Sequence, residues 1–201
     1  MMSATVNSTM GVVGRWQPDS RGRLQEAALA LLAERGFDQA TAAEIAARAG
    51  LTERTFFRHF ADKREVLFGG SDLLRERILT GVVTAPEESG PLDAVAAGLD
   101  AAAAMLGEFR RDLARQRQAV IAANSELRER ELAKMADYAA GVAAALRQRG
   151  VGELQATIAA EAGMTVLRVA LERWASGQDD RDLATIMQDS MAGLRAVASG
   201  A

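Results

Sequence analysis

Two helix-capping signals, at Thr41 and Thr52, most constrain the fold of this chain. Glu44 follows Thr41 by three residues, which is the spacing of a capping box. Gly50 lies between the two threonines and turns the chain. The pattern predicts two very short helices, one through Ile45 to about Ala49 and one capped by Thr52 and ending at about Phe60, joined by a turn of roughly four residues.

The remaining sequence also favours helix. Alanine and leucine are frequent, and strand-length runs of β-branched or aromatic residues are absent. A first helix is predicted from Asp19 or Ser20 to Arg35, and a fourth from Lys63 to about Val83 with a bend at Gly69 and Gly70. The segment 84–91 is the clearest linker, and five further helices are predicted at 91–107, 108–124, 126–149, 152–176 and 181–199. These predictions describe an all-α protein of nine helices behind a mobile tail, residues 1–18.

Composition excludes several kinds of chemistry. The chain has no cysteine and a single histidine, His59, so disulfides, thiolate catalysis and His-rich metal sites are ruled out. A carboxylate-only metal site stays open, although no cofactor is predicted. We find no secretion signal and no run of eighteen uncharged apolar residues, and we therefore expect a cytoplasmic protein.

The run GLTERTFFRHFADKRE concentrates aromatic and basic residues on the third helix. At 100° per residue, Phe60 lies near Phe56, whereas Arg54 and Arg58 lie about 160° and 200° away. The phenylalanines would anchor this helix, and the arginines would face outward. This arrangement is typical of a helix-turn-helix unit, in which arginine can bridge guanine O6 and N7 and a threonine methyl can pack on thymine.

An ordinary solvated helix face is the alternative to DNA binding. The net charge is −3, and residues 19–70 carry eight basic and eight acidic side chains. Glu53, Asp62 and Glu65 near the arginines support this alternative. Since net charge does not say which face carries each charge, it does not decide between the two interpretations.

The sequence strongly resembles the TetR family of bacterial regulators over about fifty residues. The matching elements are Arg21, Leu24, Ala27-Ala28, Gly36-Phe37, Thr41, Ile45-Ala46, Ala49-Gly50, Thr55, His59-Phe60 and Lys63. One position departs from the family pattern, because Phe57 stands where the family has a tyrosine that hydrogen-bonds phosphate. That hydrogen bond cannot form here, and Arg58 is the candidate to replace it.

The resemblance implies a helix-turn-helix DNA-binding domain at 19–66 and an effector-binding and dimerisation domain at 67–201. Candidate DNA-binding residues are Thr41, Ala43, Thr52, Glu53, Arg54, Thr55, Phe57, Arg58, His59 and Lys63. Candidates for an effector site are Met105, Phe109, Arg110, Asn124, Tyr138, Met164 and Arg168. An ordinary core is the alternative for the apolar members of that set.

The resemblance also implies a homodimer that binds a palindromic operator on double-stranded DNA. The helices at 152–176 and 181–199 would form its interface, although each apolar residue there could equally belong to an intrachain core. The apolar residues in question are Leu154, Ile158, Ala162, Thr165, Val169, Trp174, Leu183, Ile186, Met187, Met191, Leu194 and Val197.

Three function classes follow from these observations. The first is a transcriptional repressor whose operator binding is relieved by a small hydrophobic effector of unknown identity. The second is a DNA-binding regulator or activator without an effector. The third is a helical enzyme or carrier, for which the sequence offers no nucleophile–base pair, glycine-rich phosphate loop or metal-ligand spacing. We therefore expect a regulator that is not an enzyme.

Overall fold

The computed structural model describes residues 20–107 and 110–200 of the chain. Within these ranges the fold is all-α, with nine α-helices and one short 3-10 helix. The α-helices are α1 (Ser20–Arg35), α2 (Ala42–Arg48), α3 (Glu53–His59), α4 (Ser71–Thr84), α5 (Pro91–Gly107), α6 (Arg111–Ala123), α7 (Ser125–Gln148), α8 (Glu153–Ser176) and α9 (Leu183–Ser199). The predicted tail, residues 1–18, lies outside the described residues.

The first three helices enclose a small apolar core. The apolar face of α1 supplies Leu24, Leu31 and Leu32, α2 supplies Ile45, and α3 supplies Phe56. Residues from α6 and α7 pack into the same cluster. The helix-turn-helix segment therefore shares its core with the helices that follow it in the chain.

The chain between α3 and α4 differs from its prediction. One helix bending at Gly69 and Gly70 was expected from Lys63 onward, but the structure has a 3-10 helix over Glu65–Phe68 and a new helix starting at Ser71. Gly70 has φ 102°, a left-handed conformation that costs about 1–2 kcal/mol for a residue with a side chain. This glycine therefore ends one helical stretch and precedes the next. We call residues 65–71 the linking segment.

Helices α4 and α5 pack with their backbones almost touching. A Cβ atom added at Gly98 would lie 2.7 Å from the carbonyl oxygen of Ile78 and 2.8 Å from Cγ2 of Val82. A Cβ atom at Gly81 would lie 2.7 Å from the carbonyl oxygen of Ala97. The two glycines permit this crossing because they carry no side chain at the point of contact.

Helices α4, α5, α7, α8 and α9 form a second and larger core. Its centre is α8, whose buried residues include Met164 and Leu167. Among the described helices, α8 alone is long and apolar enough to cross a membrane. Ten of its residues are buried against neighbouring helices, which is the pattern of a core helix.

The apolar residues considered for a dimer interface separate into two groups. Five of them, Trp174, Leu183, Ile186, Met187 and Met191, are buried in the core of their own chain. Leu154, Ile158, Thr165 and Val197 are exposed, and Ala162, Val169 and Leu194 are half-buried. Only the second group leaves apolar surface on α8 and α9.

The glycine crossing generates a stability prediction. We expect Gly98→Ala to lower the free energy of unfolding by about 1–3 kcal/mol, because backbone atoms cannot move away from the added methyl group. The measurement is urea denaturation followed by circular dichroism. Gly107→Ala is the matched control, since no described atom lies within 4 Å of the Cβ position of this glycine in the same helix. Equal stability of the two variants would contradict the close crossing.

Two adjacent phenylalanines of α3 provide a second stability prediction. Phe56 is fully buried, whereas Phe57 is 52% exposed. We expect Phe56→Ala to cost about 3–5 kcal/mol through the cavity it leaves, and Phe57→Ala to cost no more than about 1.5 kcal/mol through loss of its edge-on contact with Phe56. Both values come from the same denaturation experiment. A large loss in Phe57→Ala would show that α3 is rotated relative to the structure.

Candidate nucleic-acid interface and neighbouring cavity

Helix α3 is anchored through one aromatic face. Phe56 and Phe60 have ring centroids 5.6 Å apart, and both side chains are buried in the first core. The ring of Phe57 meets the ring of Phe56 edge-on at 5.3 Å while remaining largely exposed. Arg54 and Arg58 are exposed on the outer side of the same helix. The structure thus has the inside and outside faces that the helical spacing predicts.

Most acidic side chains in residues 20–70 form ion pairs with basic residues other than Arg54 and Arg58. The pairs are Arg35 with Glu44, Arg48 with Glu34, Arg64 with Asp62, and Arg130 of α7 with Glu65. Arg54 and Arg58 make no hydrogen bond or ion pair with any described residue. Equal numbers of acidic and basic side chains in residues 19–70 therefore do not mean that all are paired. Among the described residues, the guanidinium groups of Arg54 and Arg58 remain unpaired on the outer face of α3.

Hydroxyl groups fix the beginnings of the two short helices. Thr41 Oγ1 accepts a hydrogen bond from the backbone N–H of Glu44, and the Glu44 carboxylate accepts one from the Thr41 N–H at 3.0 Å. Hydrogen bonds from the Thr41 hydroxyl and N–H, together with nearby Arg35, lower the pKa of Glu44. Thr52 Oγ1 accepts from the N–H of Thr55 in the same way. The predicted capping box and second cap are both present.

The other candidates for DNA contact occupy two kinds of position. Thr41, Ala43, Thr52 and Glu53 are exposed near the starts of α2 and α3, and Thr55 is half-buried. His59 is half-buried at the end of α3, and its Nε2 is enclosed without a hydrogen-bond partner among the described residues. A phosphate could therefore reach His59 Nε2 only if the surrounding side chains moved.

Lys63 has a structural role that the sequence did not indicate. Its Nζ donates hydrogen bonds to the carbonyl oxygens of Phe37 at 2.8 Å and Ala40 at 3.1 Å. The same ammonium group lies 4.3 Å from the centroid of the Phe37 ring. Lys63 thus holds the loop between α1 and α2 in place, and one of its three N–H bonds stays available for another acceptor.

A cavity of about 400 Å³ lies between the first core and the second. Its apolar walls include Leu29 of α1, Leu74 of α4, Met105 of α5 and Leu171 of α8. Polar side chains from α1, α6 and α7 also line it, as do residues 66–71 of the linking segment. The volume is within the usual range for a small-molecule site.

Of the six candidate effector residues that the structure describes, two, Met105 and Tyr138, line this cavity. Arg110 and Arg168 do not, because each is exposed and paired, with Asp112 and Glu172 respectively. Asn124 instead caps α7, since its Oδ1 accepts from the N–H of Leu127. Met164 is buried in the second core away from the cavity. Phe109 lies outside the described residues.

Apart from Tyr138, sequence reasoning missed the polar side chains that line the cavity. Gln25, Arg117, Glu131 and Lys134 line it, on three different helices. Arg117 Nη1 lies 3.0 Å from Glu131 Oε1, and its guanidinium lies 5.2 Å from the centroid of the Phe68 ring. Burial raises the pKa of Tyr138, so its hydroxyl stays protonated at neutral pH. No local sequence signal marks these residues, because the fold brings them together from distant positions.

Metal binding finds no support in the part of the chain that the structure describes. No group of three or more His, Cys, Asp or Glu residues is arranged there to hold an ion.

Comparisons with known proteins agree with this arrangement. Residues 24–68 match the family model for bacterial regulatory proteins of the tetR family, and residues 89–199 match the model for the MftR C-terminal domain. The chain is 34% identical over 98 residues to the HTH-type transcriptional regulator TcmR of Streptomyces glaucescens. That match spans 49% of this chain and 39% of TcmR.

Solved structures share the fold at low sequence identity. SmeT, the repressor of the Stenotrophomonas maltophilia multidrug efflux pump SmeDEF, has a TM-score of 0.57 and 22% identity, covering 89% of each chain. The fatty acid degradation regulator FadR of Bacillus halodurans has a TM-score of 0.56 and 16% identity, covering 86% of this chain and 96% of FadR. Together the two family models span both core regions, and the chain belongs to the TetR family of bacterial regulatory proteins.

Proposed function

We propose that this chain is a sequence-specific DNA-binding transcriptional repressor whose operator binding is relieved by a small hydrophobic effector. The observation that carries the proposal is the pair of unpaired arginines, Arg54 and Arg58, on a helix anchored by buried Phe56 and Phe60. Membership of a family of bacterial regulators supports it. The protein would act in the cytoplasm, where bacterial DNA lies.

Each outer residue of the helix-turn-helix unit has a proposed role. Arg54 and Arg58 reach base edges in the major groove, where each good bidentate contact discriminates by about 1–3 kcal/mol. Thr55 and exposed Phe57 pack on methyl groups or sugar. Thr41 and the neighbouring exposed residues at the starts of α2 and α3 approach phosphate through helix N-termini. Lys63 contributes its remaining N–H to the DNA backbone.

We assign residues 19–66 to the DNA-binding domain and 67–201 to effector binding and dimerisation. The exposed apolar surface of α8 and α9 supports a homodimer. Leu154 is 68% exposed, Ile158 59% and Val197 81%, and apolar side chains that form a contiguous exposed patch mark interaction surfaces. Residues 154, 158 and 165 lie on one face of α8, as a packing surface requires.

A twofold dimer would require a palindromic operator. The two α3 helices would enter successive major grooves about 34–36 Å apart. A ligand that favours a different separation of the helices would weaken operator binding. Coupling of about 1–3 kcal/mol is ordinary for such an effect.

The cavity is the proposed effector site. Its apolar walls and volume suit a small hydrophobic molecule. A related structure supports this use of the fold, since one solved structure of SmeT is a complex with triclosan. A regulator without an effector would bind the same operator, but no ligand would release it.

Base recognition by Arg54 is directly testable. We expect Arg54→Ala to relax base preference at one operator position by about 1–3 kcal/mol, because one guanidinium contact to a base edge is lost. Gel-shift titrations measure affinity for the DNA flanking the gene and for duplexes substituted at single positions, at two salt concentrations. The affinity of the wild-type protein should fall steeply as salt rises, and nuclease footprinting should show a palindromic protected site.

Two variants serve as comparisons for Arg54→Ala. Lys63→Ala should weaken binding to all duplexes alike, because it acts on the backbone and on the loop between α1 and α2. Arg147→Ala removes the same charge from the far end of α7, where Arg147 pairs with Glu153, and should leave base preference unchanged. Uniform weakening by Arg54→Ala would contradict a role in base recognition.

The dimer interface generates a further prediction. We expect Ile158→Arg to convert the dimer to a monomer, because a charge buried between two copies of α8 is not compensated. Sedimentation velocity measures the mass. Leu132→Arg is the matched control, since Leu132 is a 66% exposed apolar residue on α7. A monomeric Leu132 variant, or a dimeric Ile158 variant, would overturn the proposed interface.

A further inference from the structure

Three polar side chains that line the cavity all hold the backbone of the linking segment, residues 65–71. Gln25 Nε2 of α1 donates to the carbonyl oxygen of Gly69 at 2.9 Å. Arg117 Nε of α6 donates to the carbonyl oxygen of Leu67 at 2.9 Å. The Tyr138 hydroxyl of α7 donates to the carbonyl oxygen of Ser71 at 3.0 Å. The same three side chains therefore line the cavity and restrain this segment.

The linking segment has few regular hydrogen bonds of its own. Its 3-10 helix has the poorer hydrogen-bond geometry of that class, and Gly69 and Gly70 separate it from α4. Glu65 is paired with Arg130 of α7, which is a surface contact of modest strength. Val66, Leu67 and Phe68 anchor the segment through side chains buried in the first core, while donors from α1, α6 and α7 hold its backbone carbonyl groups. Because the segment joins α3 to α4, its position helps to set how the DNA-binding unit sits on the rest of the chain, together with the packing of α6 and α7 against the first core.

The cavity offers more hydrogen-bond donors than the protein uses. Arg117 is paired with Glu131 and retains further N–H groups, and its side chain is 30% exposed. Lys134 lines the cavity and makes no hydrogen bond or ion pair within 20–107 and 110–200. Glu26 also lines it, but that carboxylate is exposed to solvent, which screens its charge. The enclosed part of the cavity therefore favours an acceptor that carries negative charge.

The apolar wall of the cavity indicates the chemistry of the uncharged part of the ligand. The rings of Phe68, Tyr138 and Trp174 line the cavity together with aliphatic side chains. Aromatic rings stack or meet edge-on with one another, so this wall suits a ligand that itself carries rings.

We propose that the cavity binds an aromatic molecule with an anionic head group, and that the head group takes Arg117 away from the Leu67 carbonyl. Hydrogen bonds between charged groups are about twice as strong as neutral ones, so a sulfonate or carboxylate competes well with a backbone carbonyl. Release of that carbonyl loosens the backbone of the linking segment around Leu67 and shifts the placement of α3. This inference rests on the proposed function and specifies the effector class and the residue through which the effector acts.

The test uses two probes with one skeleton. 8-Anilinonaphthalene-1-sulfonate carries an anionic group, and N-phenyl-1-naphthylamine is the same ring system without it. Fluorescence titration of the full chain should give saturable binding of one sulfonate probe per chain. Arg117→Gln should weaken binding of the sulfonate at least about tenfold, and leave binding of the neutral probe nearly unchanged.

Two more variants separate recognition from misfolding. Lys134→Gln removes a cation that has no partner among the described residues, so it should preserve the fold and still weaken the sulfonate selectively. Arg77→Gln is the matched control, because Arg77 is exposed on α4 and outside the cavity lining. Two results would overturn the proposal. One is that the wild-type protein binds both probes with equal affinity. The other is that Arg117→Gln and Lys134→Gln each weaken binding of the neutral probe as much as binding of the sulfonate.

Hydrogen–deuterium exchange tests the consequence for the linking segment. Peptides covering residues 64–74 should exchange at least about fivefold faster with the sulfonate bound, and the neutral probe should not produce this change. Unchanged exchange with bound sulfonate would refute the release of the segment. These measurements use no DNA, so their failure leaves the repressor proposal intact. Absence of an operator footprint would refute the repressor and leave the probe result standing.

Discussion

Burial of the Phe56 and Phe60 side chains is the interaction on which the rest of this structure depends. Helix α3 has only seven residues, and an isolated helix of that length is not stable in water. The two rings fill the core between α1 and α2 and fix both the position and the rotation of α3. Arg54 and Arg58 then face solvent because the opposite side is occupied. Rigid placement makes these arginines suitable for recognising base edges rather than only attracting phosphate.

The second constraint is that the same side chains line the cavity and hold the linking segment. In many two-core proteins the cores are joined by a flexible loop, and a ligand in one has no direct route to the other. Here α6 and α7 contribute to the first core, and Gln25, Arg117 and Tyr138 hold the chain between the cores. A ligand bound in the cavity would lie beside the donors that restrain this chain. A ligand that competes with the backbone carbonyl groups for these donors would then couple the cavity to the DNA-binding helices.

Local signals in the sequence predicted the two short capped helices and the aromatic anchor of α3 well. The capping box depends on residues three apart, and the aromatic anchor on residues four apart, so both are visible without knowledge of the fold. The break at Gly70 was missed because a left-handed glycine and a glycine inside a bent helix look alike in sequence. The cavity donors Gln25 and Arg117 were missed for another reason: they are 44 and 50 residues from the carbonyl groups they hold. Only the packed structure brings such groups together.

The most direct test of the account is nuclear magnetic resonance of arginine side chains during titration with the operator duplex. The Nε–Hε signals of Arg54 and Arg58 should shift and exchange more slowly with solvent, because both groups would become ordered against DNA. Arg48, held by Glu34 on α2, serves as the internal reference and should change little. Unchanged signals from Arg54 and Arg58 at saturating operator would contradict the claim that the aromatic anchor presents these two arginines to DNA.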